Sequence, residues 1–107
     1  VKKFFPSAYG TLMSANDAQF LTHLMSQVVE IGTGSAMRGA SYTVAGKTGS
    51  AEFEAGKETH SWFVGFAPAD KPKVAICVLA EESGSGGAVA APIARQVLDR
   101  YFAKYGQ

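Results

Sequence analysis

The chain has 107 residues, of which 47% are hydrophobic and 18% are charged, and its formal net charge at pH 7 is +1. This length fits one compact domain, so residues 1–107 are treated as a single unit. Because acidic and basic residues are interspersed and nearly balanced, neither a nucleic-acid partner nor a charge-driven membrane contact is expected. The single Cys and the two His show no metal-ligand spacing, so the sequence predicts no metal and no other cofactor.

The first helix is predicted to begin after Ser14, whose hydroxyl would cap it with Asp17 three residues on. Apolar residues then recur at the 3.6-residue spacing of one helix face. These residues are Ala18, Leu21, Leu24, Met25, Val28 and Val29. Gly32 and Gly34 are expected to end the helix, because glycine readily adopts the left-handed cap conformation.

Three strands are predicted to follow, at residues 41–53, 60–66 and 73–81. The polar connection 54–59 suits a hairpin, and the two prolines of 67–72 indicate a turn. In the third strand apolar side chains alternate onto both faces, which predicts that both faces of the sheet need cover. Trp62 is expected to lie in the core between the sheet and a helix.

A glycine-rich stretch, residues 83–87, is expected to be a flexible connection to a last helix at about 90–105. The order helix, three strands, helix predicts an α+β fold. This would be a three-stranded antiparallel meander with the N-terminal and the C-terminal helix packed on one face. The other face would then lack a cover, which indicates a missing partner segment. We therefore expect self-association through this sheet face or through a free strand edge.

The middle of the first predicted strand is chemically unusual. Lys47, Thr48, Gly49 and Ser50 place a cation, two hydroxyls and a bare Cα in consecutive positions. Such a surface suits an anionic, peptide-like ligand, and these four residues alone leave an exposed edge strand with a soluble lysine equally open. A phosphate loop is set aside, because its pattern needs Gly where this chain has Ser41 and a helix where it continues as strand.

Lys-Thr-Gly is also the third of three signatures of penicillin-binding proteins and class A β-lactamases. With their flanks, residues 44–52, 60–68 and 91–94 resemble the C-terminal part of penicillin-binding protein transpeptidase domains. The helix and loop before the motif, residues 25–29 and 32–34, fit the same resemblance, which runs from about Asn16 to Tyr105. It implies a peptidoglycan D,D-transpeptidase that acts outside the cytoplasm, with the parent protein anchored to the bacterial membrane.

The resemblance also implies a role for each residue of the motif. Lys47 would supply positive potential and hydrogen bonds to the serine of an S-x-N motif. The hydroxyls of Thr48 and Ser50 would hold the carboxylate of a stem peptide or a β-lactam. The backbone N–H of Ser50 would be an oxyanion-hole donor, so that Lys47 and Ser50 are the candidate catalytic groups. Gly49 would keep side-chain bulk away from the ligand.

The nucleophile of such an enzyme is not found in this sequence. No Ser or Thr is followed three residues later by Lys, and the nearest match, at Ser35, has Arg38 there. Arg stays protonated and cannot activate a serine. The sequence Ser14-Ala15-Asn16 matches S-x-N but is interpreted as a helix cap. The chain alone is therefore predicted to be inactive, and since it begins with Val1 rather than Met we expect it to be a piece of a longer protein.

Two other functions fit the same residues. One is a non-catalytic β-lactam-binding or interaction module of the same fold, as in sensor proteins. The other is a serine β-lactamase, which the strand and turn at 62–68 favour less. The sequence encoded upstream of Val1 separates enzyme from module, because only the enzyme requires S-x-x-K and S-x-N there.

Overall fold

The computed structural model describes residues 2–107. Its main elements are two α-helices and three strands: α1 (Ala15–Ile31), β1 (Ala45–Ala51), β2 (His60–Ala67), β3 (Val74–Ala80) and α2 (Ala91–Tyr105). A 3-10 turn follows α1 at Ser35–Met37, and a π-helical turn precedes α2 at Gly86–Ala90. The strands form one antiparallel sheet in the order β1-β2-β3. The α+β class and the antiparallel meander are therefore confirmed.

The first helix has the predicted cap but contributes less to the core than its apolar stripe suggests. Ser14 Oγ accepts a hydrogen bond from the Asp17 N–H at 3.1 Å, as expected. Val29, near the C-terminal end, is 2% exposed, whereas Leu21 and Leu24 are 43% and 47% exposed. Within residues 2–107 no helix combines the length and the apolar character needed to cross a membrane.

The core is centred on Phe63 of β2, which is fully buried. Its ring lies over Gly46 of β1 and Gly65 of β2. A Cβ on Gly46 would lie 2.7 Å from an edge carbon of the ring, and one on Gly65 would lie 3.0 Å away. Glycine at these two positions therefore makes room for the ring. Both helices reach this core, which contains Val29, Met37, Tyr42, Val44, Phe63, Ala67, Ala90, Ala91, Ala94, Leu98 and Phe102.

The sheet has one covered face and one open face. Residues paired across neighbouring strands share a face, so Phe63 and its partner Val78 lie towards the core. Trp62 and its partner Leu79 point the other way. The open face includes Trp62, Val64, Ala75, Cys77 and Leu79, together with Lys47, which pairs with Val64. Val64 and Leu79 are 41% and 44% exposed. The exposed second face was predicted. The placement of Trp62 between sheet and helix was wrong, because strand alternation turns it away from Phe63.

A polar cluster fastens the segment before β1 to α2. The Tyr42 hydroxyl donates to Asp99 Oδ1 at 2.7 Å, and Arg95 Nε donates to the same carboxylate at 3.0 Å. Arg95 also donates to the carbonyl oxygens of Ala36 and Arg38, at 3.2 and 3.0 Å. Burial raises the pKa of Tyr42, and the Asp99 carboxylate adds to the rise. β1 is shorter at both ends than the predicted strand 41–53, because its pairing with β2 runs only from Ala45 to Ala51.

Candidate functional site

The outer edge of β1 carries the Lys-Thr-Gly motif. Lys47 Nζ donates to the Thr48 carbonyl oxygen at 2.7 Å, which places this carbonyl beside the lysine side chain. Gly49 is opposite Trp62 in the β1–β2 pairing, and β1 is an edge strand because it pairs only with β2. In an antiparallel edge strand, one residue directs both its backbone N–H and its C=O towards the partner strand, and the next residue directs both away from it.

The position of Gly86 shows which backbone groups of β1 point towards β2. A Cβ on Gly86 would lie 2.5 Å from the Gly49 carbonyl oxygen and 2.7 Å from the Gly49 nitrogen, and it would also overlap the Trp62 carbonyl oxygen. These three atoms lie close together, as expected when Gly49 and Trp62 exchange hydrogen bonds between the strands. Because this direction alternates along the strand, the backbone N–H and C=O groups of Thr48 and Ser50 then point to the outer edge.

An open cleft of about 550 Å³ lies beside this edge. Three segments form its walls: the loop after α1, β1 itself, and the start of the π-helical turn. The residues that line it are Thr33, Ser35, Lys47, Thr48, Gly49, Ser50, Ser85, Gly86, Gly87 and Ala88. All four residues singled out from the sequence are therefore brought to one concave surface.

The first wall is fixed to β1 by a pair of hydroxyls. Thr33 Oγ1 and Thr48 Oγ1 are hydrogen bonded to each other, and Thr48 is only 9% exposed. The loop that holds Thr33 is itself ordered by the carbonyl oxygen of Val28, which accepts the N–H groups of Gly32 and Gly34 at 3.1 and 2.9 Å. Thr33 therefore approaches the motif from a well-defined loop.

The second wall is the glycine-rich stretch, which packs against the sheet. The Gly86 N–H donates to Ser50 Oγ at 3.2 Å. Ser61, fully buried in β2, donates through Oγ to the Ser85 carbonyl oxygen at 2.8 Å and accepts the Ala90 N–H at 2.9 Å. The predicted flexible connection is therefore wrong for this part of the stretch. The Gly-Gly pair at 86–87 was the available signal, because glycines mark close approach of backbones.

The predicted site residues differ in exposure. Lys47 and Ser50 are exposed, Gly49 is partly buried, and Thr48 is almost buried. Sequence reasoning missed Thr33, Ser85 and Gly86, which line the same cleft. Ser14, which matched an S-x-N motif by spacing, caps α1. Among residues 2–107 no three His, Cys, Asp or Glu side chains are grouped closely enough to hold a metal ion.

The fold and the site thus define an α+β unit whose edge strand presents Lys-Thr-Gly-Ser to an open cleft. The family model for the penicillin binding protein transpeptidase domain matches residues 7–99, which is most of the chain. The chain belongs to the family of penicillin-binding protein transpeptidase domains.

Solved structures agree with this assignment. The chain superposes on Pseudomonas aeruginosa PBP2, solved in complex with WCK 5153, with a TM-score of 0.79 and 35% identity, covering 91% of this chain and 22% of that one. It also superposes on Mycobacterium tuberculosis penicillin-binding protein A, solved as an imipenem acyl-enzyme complex, with a TM-score of 0.72 and 37% identity, covering 84% of this chain and 20% of that one.

Two curated relatives are named as peptidoglycan D,D-transpeptidases. The protein MrdA of Haemophilus influenzae is 40% identical over 65% of this chain, and the match covers 13% of its own length. The protein PbpA of Mycolicibacterium smegmatis is 43% identical over 55% of this chain and 14% of its own length. The chain therefore spans roughly one seventh of the length of the curated relatives it matches.

Proposed function

We propose that this chain forms the substrate-binding wall of a peptidoglycan D,D-transpeptidase. The parent protein would be a serine acyltransferase that cross-links stem peptides through an acyl-enzyme, and that β-lactams acylate. The observation that carries the proposal is the position of residues 47–50 on the outer edge of β1, beside an open cleft. The relatives named above, which include an imipenem acyl-enzyme complex, support the same chemistry.

The proposed carboxylate site consists of the Thr48 and Ser50 hydroxyls. The Lys47 side chain starts on the opposite face of the sheet, and its ammonium group reaches the same edge of β1 at the Thr48 carbonyl oxygen. Both hydroxyls lie on the same side of β1, because their positions differ by two in a strand. Lys47 uses one of its three N–H donors on the Thr48 carbonyl oxygen, which leaves two donors for other partners. One would serve the S-x-N serine, and the positive charge would favour an anionic ligand. Hydrogen bonds between a carboxylate and neutral hydroxyls are stronger than bonds between neutral groups.

The proposed oxyanion donor is the backbone N–H of Ser50. Strand alternation directs this group to the outer edge, where a carbonyl oxygen of the ligand would lie. A preorganised donor of this kind stabilises the tetrahedral intermediate by about 3 kcal/mol. Gly49, whose missing side chain would meet only Trp62 Cβ at 3.4 Å, leaves the surface of the strand open to an extended ligand.

The nucleophile must come from residues outside 1–107, since the sequence has no S-x-x-K. We infer that the parent supplies S-x-x-K and S-x-N from its N-terminal part, that it acts outside the cytoplasm, and that it is anchored to the cell membrane. The partners of the chain are then that N-terminal part and the stem peptide or β-lactam.

The test uses the full-length protein that contains this sequence and a labelled penicillin. Mass spectrometry should find one covalent adduct per molecule, and peptide mapping should place it on a serine outside residues 1–107. The chain 1–107 alone should gain no mass, and neither should the full-length protein denatured before incubation. An adduct on a serine within 1–107, or no adduct on the native full-length protein, would contradict the proposal.

A second assay separates the enzyme from the sensor-like module of the same fold. A transpeptidase should join a donor stem peptide to an amine acceptor with repeated turnover. A β-lactam-binding module should form the penicillin adduct and leave the stem peptide unchanged. Adduct formation without peptide turnover would therefore assign the module.

A further inference from the structure

Both hydroxyls that would bind the carboxylate are held by groups outside the Lys-Thr-Gly motif. Thr48 Oγ1 is hydrogen bonded to Thr33 Oγ1, in the loop after α1. Ser50 Oγ accepts the N–H of Gly86, at the start of the π-helical turn. Each of these two groups lies far from the motif in sequence, and each contacts one hydroxyl.

We propose that Thr33 and the Gly86 N–H are positioning groups that orient the Thr48 and Ser50 hydroxyls for a carboxylate ligand. The inference rests on the proposed function and extends it to residues outside the motif. Thr33 is the testable member, because a side-chain substitution removes its hydroxyl while leaving the backbone of its loop in place.

The chemistry of a hydroxyl explains how the orientation works. A hydroxyl has one proton to donate and two lone pairs to accept with. The Gly86 N–H can only donate, so it occupies a lone pair of Ser50 Oγ and leaves the Ser50 proton for the ligand. An ionised carboxylate can only accept. When it binds, Thr48 must donate to it, and the Thr48 oxygen is then free to accept from Thr33.

The result is a directed chain of hydrogen bonds from Thr33 through Thr48 to the carboxylate. In such a chain each bond polarises the next, so the terminal bond is strengthened. Without Thr33, the nearly buried Thr48 oxygen would lose this donor, and its proton could turn away from the ligand.

The surroundings of Thr33 restrict its movement. The Gly32 and Gly34 N–H groups are both bonded to the Val28 carbonyl oxygen. On the other side Gly87 packs against Thr33, since a Cβ on Gly87 would lie 2.6 Å from the Thr33 carbonyl oxygen. The backbone at Thr33 is therefore held in place, and the hydroxyl it presents is bonded to Thr48, which is what a positioning role requires.

The experiment measures how strongly acylation depends on the ligand's carboxylate. The full-length protein and its variants react with a labelled penicillin and with the methyl ester of the same compound, and the two second-order rate constants are compared. Thr33→Val removes the hydroxyl and keeps the shape, while Thr33→Ser keeps the hydroxyl. Thr22→Val is the matched control, because the Thr22 hydroxyl only donates to the Ala18 carbonyl oxygen within α1.

We expect Thr33→Val to lower the rate constant for the acid about tenfold, the size of one lost hydrogen bond in a network, with less than about a twofold change for the ester. Thr33→Ser and Thr22→Val should keep the wild-type ratio of the two rate constants. An equal loss for acid and ester, or a loss in Thr33→Ser as large as in Thr33→Val, would overturn the positioning role. No acylation of the wild-type protein by either compound would instead refute the proposed function on which it rests.

Discussion

The covered face of the sheet and the outer edge of β1 are built from the same strands but with opposite chemistry. The covered face is organised by the fully buried Phe63, and two glycines make room for its ring. At the outer edge, the Thr48 and Ser50 hydroxyls are hydrogen bonded to Thr33 and Gly86 of two loops, and Lys47 donates to the Thr48 carbonyl oxygen of its own strand. We therefore expect stability and ligand recognition to depend on different residues of neighbouring strands, so that substitutions should separate the two properties.

The largest effect is expected in the covered core. Phe63→Ala should lower the free energy of unfolding by about 3–5 kcal/mol, because it removes buried apolar surface and leaves a cavity. The measurement is denaturant unfolding of the full-length protein. Val64→Ala, at the next residue but on the open face, is the matched control. If both variants lose the same stability, the two faces do not differ as described.

The next largest effect is expected on the rate of penicillin acylation, with the free energy of unfolding unchanged. Lys47→Ala should lower the rate constant of penicillin acylation about 100-fold, because it removes a charged donor beside the proposed carboxylate site. Lys71→Ala, an exposed lysine in the turn between β2 and β3, is the matched control and should react like the wild type. A loss in melting temperature parallel to the loss of acylation would show that Lys47 acts through the fold.

A smaller effect on stability is expected at Tyr42, whose hydroxyl connects the segment before β1 to Asp99 of α2. Tyr42→Phe removes one hydrogen bond and should cost about 1 kcal/mol of stability. The pKa of Tyr42 is raised above its ordinary value of 10.0 in the folded chain. The neutral phenol therefore contributes stability that is fully present below about pH 10 and is lost as the pH rises towards the folded pKa.

The pH dependence gives the measurement for this prediction. Unfolding free energies of the wild type and of Tyr42→Phe should differ most below about pH 10 and converge above it. A difference that grows between pH 10 and pH 12 would contradict the sign of the effect.

The smallest effect is expected on the open face. The isolated chain should self-associate weakly through the apolar residues Val64 and Leu79, and Leu79→Glu should reduce this association. Sedimentation over a range of concentrations tests it, with the exposed substitution Lys71→Glu as a control for added negative charge. A wild-type chain that remains monomeric at high concentration would contradict the prediction.

Much of the fold followed from local sequence signals. The Ser14 cap, the second and third strands and the last helix were predicted to within a residue or two, because periodicity and capping are local properties. The length of β1 was overestimated at both ends, because pairing with β2 decides where β1 begins and ends, and a residue pattern within one strand does not show it. The position of Trp62 was predicted wrongly. The alternation of side chains along a strand shows that the sheet has two faces, but it does not show which face the helices cover.

The candidate site also has one part that could be predicted from the sequence and one part that could not. The motif itself was visible, because its four residues are consecutive. Thr33 and Gly86 were missed, because they reach the motif only through the folded chain: each is a common loop residue whose contact with Thr48 or Ser50 has no local signature. Gly86 in particular is required by backbone proximity to Gly49, which only the sheet geometry defines.

The central claim is that the outer edge of β1 binds the ligand's carboxylate and carbonyl groups. A crystal structure of the full-length protein acylated by a β-lactam tests this most directly. We predict that the carboxylate lies within hydrogen-bond distance of the Thr48 and Ser50 hydroxyls, and that the ester carbonyl oxygen accepts the Ser50 N–H. An acyl group whose carboxylate and carbonyl oxygens both lie away from residues 47–50 would contradict it.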